Sequence, residues 1–219
     1  MLFQLVQTRP EPIPLLNLAW ICWFGQQTAP IAALLGRAMV QLCDPEFVST
    51  SLAEFGDFVL PMGFCSFALE WERQAELPPL ARWPARQRLL IWNGLLLQSQ
   101  LCARQNPALA LPYIESACGL LPELPDAWLL AAQFRLALDQ PAAAARDLNQ
   151  GLTCGGLFPW VYQALIRLAL NRQDLIEARQ LLAAARTLFH GPGTESVRAQ
   201  LDALGLELSL AQNPRAGFA

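Results

Sequence analysis

The sequence predicts an all-α protein of antiparallel helical hairpins stacked one on another, and three observations predict it. Small residues recur at a step of 34, as Ala110, Ala144 and Ala178, followed seven residues later by Ala117, Gly151 and Ala185. Aliphatic residues sit between them at Ile114, Leu148 and Leu182. Tryptophans at 92, 128 and 160 precede the three alanines by 18, 16 and 18 residues. A fixed period of this length marks a repeat architecture, in which each unit buries its apolar face on the next.

Taken in order, residues 15–42 read as a helical hairpin broken at Gly25-Gln26-Gln27. Residues 47–71 carry Phe47, Phe55, Phe58, Phe64, Phe67 and Trp71, dense enough for a buried helix pair or an aromatic docking face. Leu77-Pro78-Pro79 and Trp83-Pro84 interrupt helices, because proline lacks the donor and restricts the residue before it. The expected organisation is therefore an apolar, aromatic-rich helical region over 1–80, repeats within 81–192 and a cap with a loose tail over 193–219. The repeats fall at about 91–124, 125–158 and 159–192. Arg-Leu-Ala-Leu recurs at 135–138 and 167–170, a step of 32, which predicts turns differing by two residues. Residues 194–210 read as a closing amphipathic helix, capped by Thr194, with Val197, Leu201, Leu204 and Leu208 on one face.

These segments resemble tetratricopeptide repeats, whose pattern of 34 residues places an aromatic early in the first helix and small residues at the helix contacts. Ala132 matches the family's small eighth position in the middle unit, and Pro122 ends the first. Gln98 and Ile166 stand at the eighth position of the outer units and depart from the pattern. Ala33 and Pro45 are spaced as the twentieth and thirty-second positions of a degenerate earlier unit. The resemblance implies a right-handed superhelix. It also implies a partner groove lined by the first helix of each unit, here Trp92, Leu95 and Ser99, then Asp126, Leu129 and Gln133, then Trp160, Gln163, Arg167 and Asn171.

Composition bounds the function. Apolar residues make up 54% and charged residues 15% of the 219, against about 25% charged in an ordinary soluble domain. Such an excess predicts exposed apolar surface for a partner or a membrane, with Trp20, Trp23, Phe24, Phe55 and Phe58 as the apolar docking set. The net charge is -3, all fifteen basic residues are arginine, and the nearest cluster is Arg82, Arg86 and Arg88. No basic stripe suited to nucleic acid results. Without lysine there is no lysine-based carboxylate clamp of the kind the family uses on chaperone tails. Residues 12–36 carry no charge, but their apolar run, 13–24, is the length of a buried core helix rather than a span.

Chemistry has little to draw on. The six cysteines, at 22, 43, 65, 102, 118 and 154, contain no CxxC pair, and with His190 as the one histidine they read as buried thiols, not metal ligands. His190 lies at a helix end, where the dipole favours it. Glu70 and Glu72 flank Trp71 and point to different helix faces. No GxGxxG, P-loop, GxSxG or HExxH motif occurs. The expectation is a non-catalytic scaffold, adaptor or complex subunit that binds other proteins and needs no cofactor. It is placed in the cytoplasm, with contact at the cytoplasmic face of a membrane as one variant, since residues 1–14 lack the features of a secretory signal. The alternatives are the regulatory repeat region of a glycosyltransferase-type system and a peripheral membrane protein.

Overall fold

The computed structural model describes residues 12–42 and 83–212. Among these the chain forms nine helices and no strand: α1 Pro12–Phe24, α2 Ile31–Leu42, α3 Trp83–Ala103, α4 Pro107–Leu120, α5 Pro125–Ala137, α6 Pro141–Thr153, α7 Pro159–Asn171, α8 Leu175–Leu188 and α9 Glu195–Gln212. The stretch 47–71 with Phe55 and Phe58, Cys43, Pro45, Cys65, Glu70, Glu72, the prolines at 78 and 79 and the tail from 213 lie outside the described residues.

Local chemistry explains the helix limits. Proline is the first residue of α4, α5, α6 and α7, where its missing N–H is one that a first turn leaves unbonded anyway and its ring presets φ. Asn106 caps α4 by accepting from the Ala108 N–H at 2.9 Å, and Asp174 caps α8 by accepting from the Glu177 N–H at 3.0 Å. Besides Gly193 before α9, four turns use a left-handed residue to close a helix, Gln26, Asp139, Gly155 and Gln173. Each lets the next N–H reach back five residues, as Gln140 N to Arg135 O at 2.8 Å and Asp174 N to Ala169 O at 2.9 Å, which satisfies a carbonyl the helix end would orphan.

Helices pack in neighbouring pairs, α1 with α2, α3 with α4, α5 with α6 and α7 with α8. The second helix of each pair also packs on the first helix of the next. The small–aliphatic–small ridge is the reason for the close approach. Ala110, Ile114 and Ala117 of α4, Ala144, Leu148 and Gly151 of α6, and Ala178, Leu182 and Ala185 of α8 are all buried. In the middle pair the position holds glycine because Leu129 of α5 fills the space: a Cβ on Gly151 would stand 3.0 Å from Leu129 Cγ and closer still to Cδ2. Gly151→Ala is expected to lower stability by about 1–2 kcal/mol in urea unfolding, overpacking outweighing the better helix propensity of alanine.

Several expectations change. The first helix of the first unit begins at Trp83 rather than near 91, so Trp92 is not early in its helix but central and fully buried. Trp128 is the fourth residue of α5 and Trp160 the second of α7, so Trp128 is out of step with Trp160 and with Trp92, which stand two steps of 34 apart. The turns after α5 and α7 have equal length, since α5 and α7 start 34 apart, as do α6 and α8. The step of 32 between the Arg-Leu-Ala-Leu segments is thus a slip of two residues within helices. Ala33 is exposed on α2, whose buried face is Ile31, Leu34, Leu35, Ala38 and Leu42. Thr194 takes the cap position by its backbone, its carbonyl accepting from the Arg198 N–H at 2.9 Å, but its hydroxyl turns back toward Gly191 O at 2.6 Å and Phe189 O at 3.0 Å instead of to a helix N–H.

One hydrophobic cluster runs without a break from Leu15 of α1 to Phe134 of α5. Trp20 Nε1 donates to Asn93 Oδ1 inside it, and Gln87 Nε2 donates to Leu42 O at 2.5 Å, tying the first pair to α3. A second cluster joins α5, α6 and α7, and a third joins α7, α8 and α9. Val161, Leu165 and Leu168 of α7 face the preceding pair, and Val197, Leu201 and Leu204 of α9 do the same 36 residues later. The last helix therefore stands where the first helix of a further pair would stand.

Candidate interaction surfaces

The face assigned to a partner from the sequence is divided by the fold. Trp92 and Ser99 are fully buried, Ser99 Oγ donating to Leu96 O at 2.7 Å, and Asp126 and Leu129 are buried as well. Leu95 and Trp160 are half-buried and pack against the hydrophobic clusters. Gln163 is half-buried, and its Nε2 donates to Gln200 Oε1 of α9 at 2.7 Å. Gln133 of α5 and Arg167 and Asn171 of α7 are exposed. A hollow of about 460 Å³ lies beside Asn171, between Leu136, Pro141, Ala142 and Leu168. Surface thus remains at α5 and α7, and Trp92 and Ser99 of α3 are taken into the core.

The apolar docking set is divided too. Trp20 is buried, bonded to Asn93 and stacked on Phe24 with ring centroids 5.9 Å apart. Trp23 carries the Arg104 guanidinium 3.9 Å above its ring, a cation–π contact between α1 and the turn after α3. Phe24, 60% exposed, and Ile21, 47% exposed, remain open at the end of α1.

Two polar features of the interior were not legible in the sequence. Arg135 of α5 donates to Asp147 of α6 and, at 2.9 Å, to Glu115 of α4, binding three helices through partners 12 and 20 residues away. No local motif announces such a tie. Burial raises the Asp147 carboxyl pKa, and Arg135 pulls it back. The second is Asp126 at the start of α5, whose Oδ2 has no hydrogen-bond partner; desolvation raises its pKa to about 7, against a smaller lowering by a backbone bond. The register explains its setting, because Trp92 and Trp160 occupy the places 34 residues on either side.

Thiols and the histidine have local roles. Cys22 and Cys118 are buried and Cys102 and Cys154 half-buried, all four free. Burial, with a further push from Asp147, raises the Cys118 thiol to about 12. Iodoacetamide at pH 8 should leave Cys118 unmodified in the folded chain, as read by peptide mass mapping, and its rapid labelling would contradict this burial. His190 Nδ1 donates to Thr187 O at 2.5 Å in the last turn of α8. Among the described residues no group of three or more His, Cys, Asp or Glu could hold a metal ion, and no helix is long and apolar enough to cross a membrane.

An open groove of about 560 Å³ lies between α8 and α9, with Arg179, Leu182 and Arg186 on one wall and Asp202, Leu206 and Ser209 on the other. Arg186 crosses Gly205 to bond Asp202 at 2.7 Å, and a Cβ at Gly205 would meet its Nη2 at 2.8 Å. In sequence the groove had one signal, Leu206 and Leu210, which fall off the buried ridge 197/201/204/208 of α9. Comparison of the chain with protein-family models, curated proteins and solved structures returns no match.

Proposed function

We propose that this chain is a non-catalytic protein–protein interaction scaffold, an adaptor or subunit of a larger complex, built as a tetratricopeptide-like right-handed superhelix. The observation that carries the reading is the stack of paired helices at a step of 34, whose members leave Gln133, Arg167 and Asn171 exposed, Asn171 lining the hollow at Leu136 and Leu168. Stacked helical pairs make extended surfaces that suit protein ligands. The isolated chain is expected to self-associate or aggregate in size-exclusion chromatography with light scattering, and mild affinity purification from its native cell to return it with fixed partners. A monodisperse monomer that copurifies with nothing would sink the reading.

A second reading, peripheral membrane contact, is favoured by Ile21 and Phe24 at the end of α1. Flotation with liposomes that is lost in the Ile21→Ser/Phe24→Ser double variant supports it. Flotation that persists unchanged removes α1 as the contact.

A further inference from the structure

We propose that the groove between α8 and α9 receives one amphipathic helix of a partner protein, which sets carboxylates beside a narrow apolar stripe. The proposal rests on the interaction-scaffold reading and names its site and the chemistry of its partner.

The fold shows what such a groove is for. The helix α8 lies against α7, its own mate, and beside α6, whose Leu152 packs on the cluster that α7, α8 and α9 share. Advancing this seat by one unit turns Leu152 of α6 into Arg186 of α8 by the step of 34, and Ile166, Ala169 and Leu170 of α7 into Asp202, Gly205 and Leu206 of α9 by the step of 36. These are lining residues of the open groove. It is therefore the seat that the second helix of a further pair would take, and α9 is a first helix without its mate among the described residues. Leu206 is 63% exposed and Leu210 48% exposed, although a terminal helix that only sealed the stack would present a polar outer face.

The chemistry of the floor distinguishes the occupant from a further helix of the core. Where α8 meets Leu152, Ile166 and Leu170, the open groove offers an ion pair, Arg186 with Asp202, and Leu206. A mixed floor of this kind matches a non-obligate interface, whose partner leaves and returns, better than a folded interior. Arg179 adds a second guanidinium two helical turns before Arg186 on the same wall, exposed and without a carboxylate partner among the described residues. The two guanidiniums against the one Asp202 leave the walls locally positive, in a chain whose net charge is -3. Charge complementarity then selects a helix carrying Glu or Asp next to its apolar stripe. The stripe itself is described by the chain's own ridges, small–x3–aliphatic–x2–small, as in Ala144, Leu148 and Gly151.

The test uses the full chain and two synthetic helical peptides with one Ala–x3–Leu–x2–Ala ridge, flanked by glutamates in one and lysines in the other. Fluorescence anisotropy is expected to show binding of the acidic peptide alone. Arg179→Glu and Leu206→Asp, both at exposed positions, should each weaken it by about tenfold or more. Equal binding of both peptides, absence of binding, or an affinity untouched by both substitutions overturns the proposal. So does a wild-type dimer in light scattering that Leu206→Asp converts to monomer, because the occupant is then a second copy. Partners from the native cell that remain bound to both variants would leave the scaffold reading standing and remove this groove from it.

Discussion

Asp126→Asn is expected to stabilise the chain at pH 8 by roughly 2–4 kcal/mol and to leave it nearly unchanged at pH 4. The carboxyl is buried at the start of α5, and desolvation holds its pKa at about 7, above the ordinary aspartate value of 3.8. A folded-state value above the unfolded one means that the folded chain binds more protons between the two. Stability contributed by the neutral acid is then complete below about pH 4 and is lost as pH rises through 7. The helix N-terminus favours the charged form, but by only about 0.3–1 kcal/mol, less than the cost of placing a carboxylate where the neighbouring units place Trp92 and Trp160. Paired urea titrations of wild type and variant from pH 4 to 8 isolate this group, since the other titrating groups are common to both. A constant gap over that range would show that Asp126 is ionised throughout.

Arg135→Met is expected to cost about 3 kcal/mol in the same measurement, a large part of the stability of a chain this size. The loss comes less from the ion pairs than from what remains: Asp147, whose side chain is 5% exposed, keeps its oxygens in the interior without the guanidinium bonded to them, and only the Coulombic pull of Arg146 is left. Glu115, 56% exposed, is hydrated and contributes little. Arg135→Met/Asp147→Leu should therefore recover most of the loss, because removing both partners together leaves nothing polar uncompensated. A double variant as unstable as the single one would place the cost in the packing of the Arg135 stem instead.

The repeats were legible because packing restricts residue size at fixed places. Wherever two helices cross closely only small side chains fit, so Ala110, Ala144 and Ala178 and their partners seven residues on appear in the sequence as a period. The amphipathic face of α9 was legible for the related reason that a surface helix buries one stripe. The long α3 was not. Its start at Trp83 lies in a segment of proline and arginine that reads as a boundary, and its burial comes from α1, α2, α4 and α5 packing around it. Reading Trp92 and Ser99 as groove residues took the open face of the helix to be theirs, whereas the side of α3 left partly open carries Arg88, Ile91, Leu95 and Gln98.

By itself the sequence determined the helical class, the step of 34, the hairpin at residues 15–42 and the buried face of the last helix, because each depends on spacing within one or two helices. Only the tertiary structure decided which first helices keep a surface, that Arg135 joins three helices, that Asp126 lies in an apolar seat, and that α8 and α9 leave a groove between them. Each of these depends on which residues distant in sequence are brought within a few ångströms, and on the water they lose when they meet. Spacing along the chain records neither.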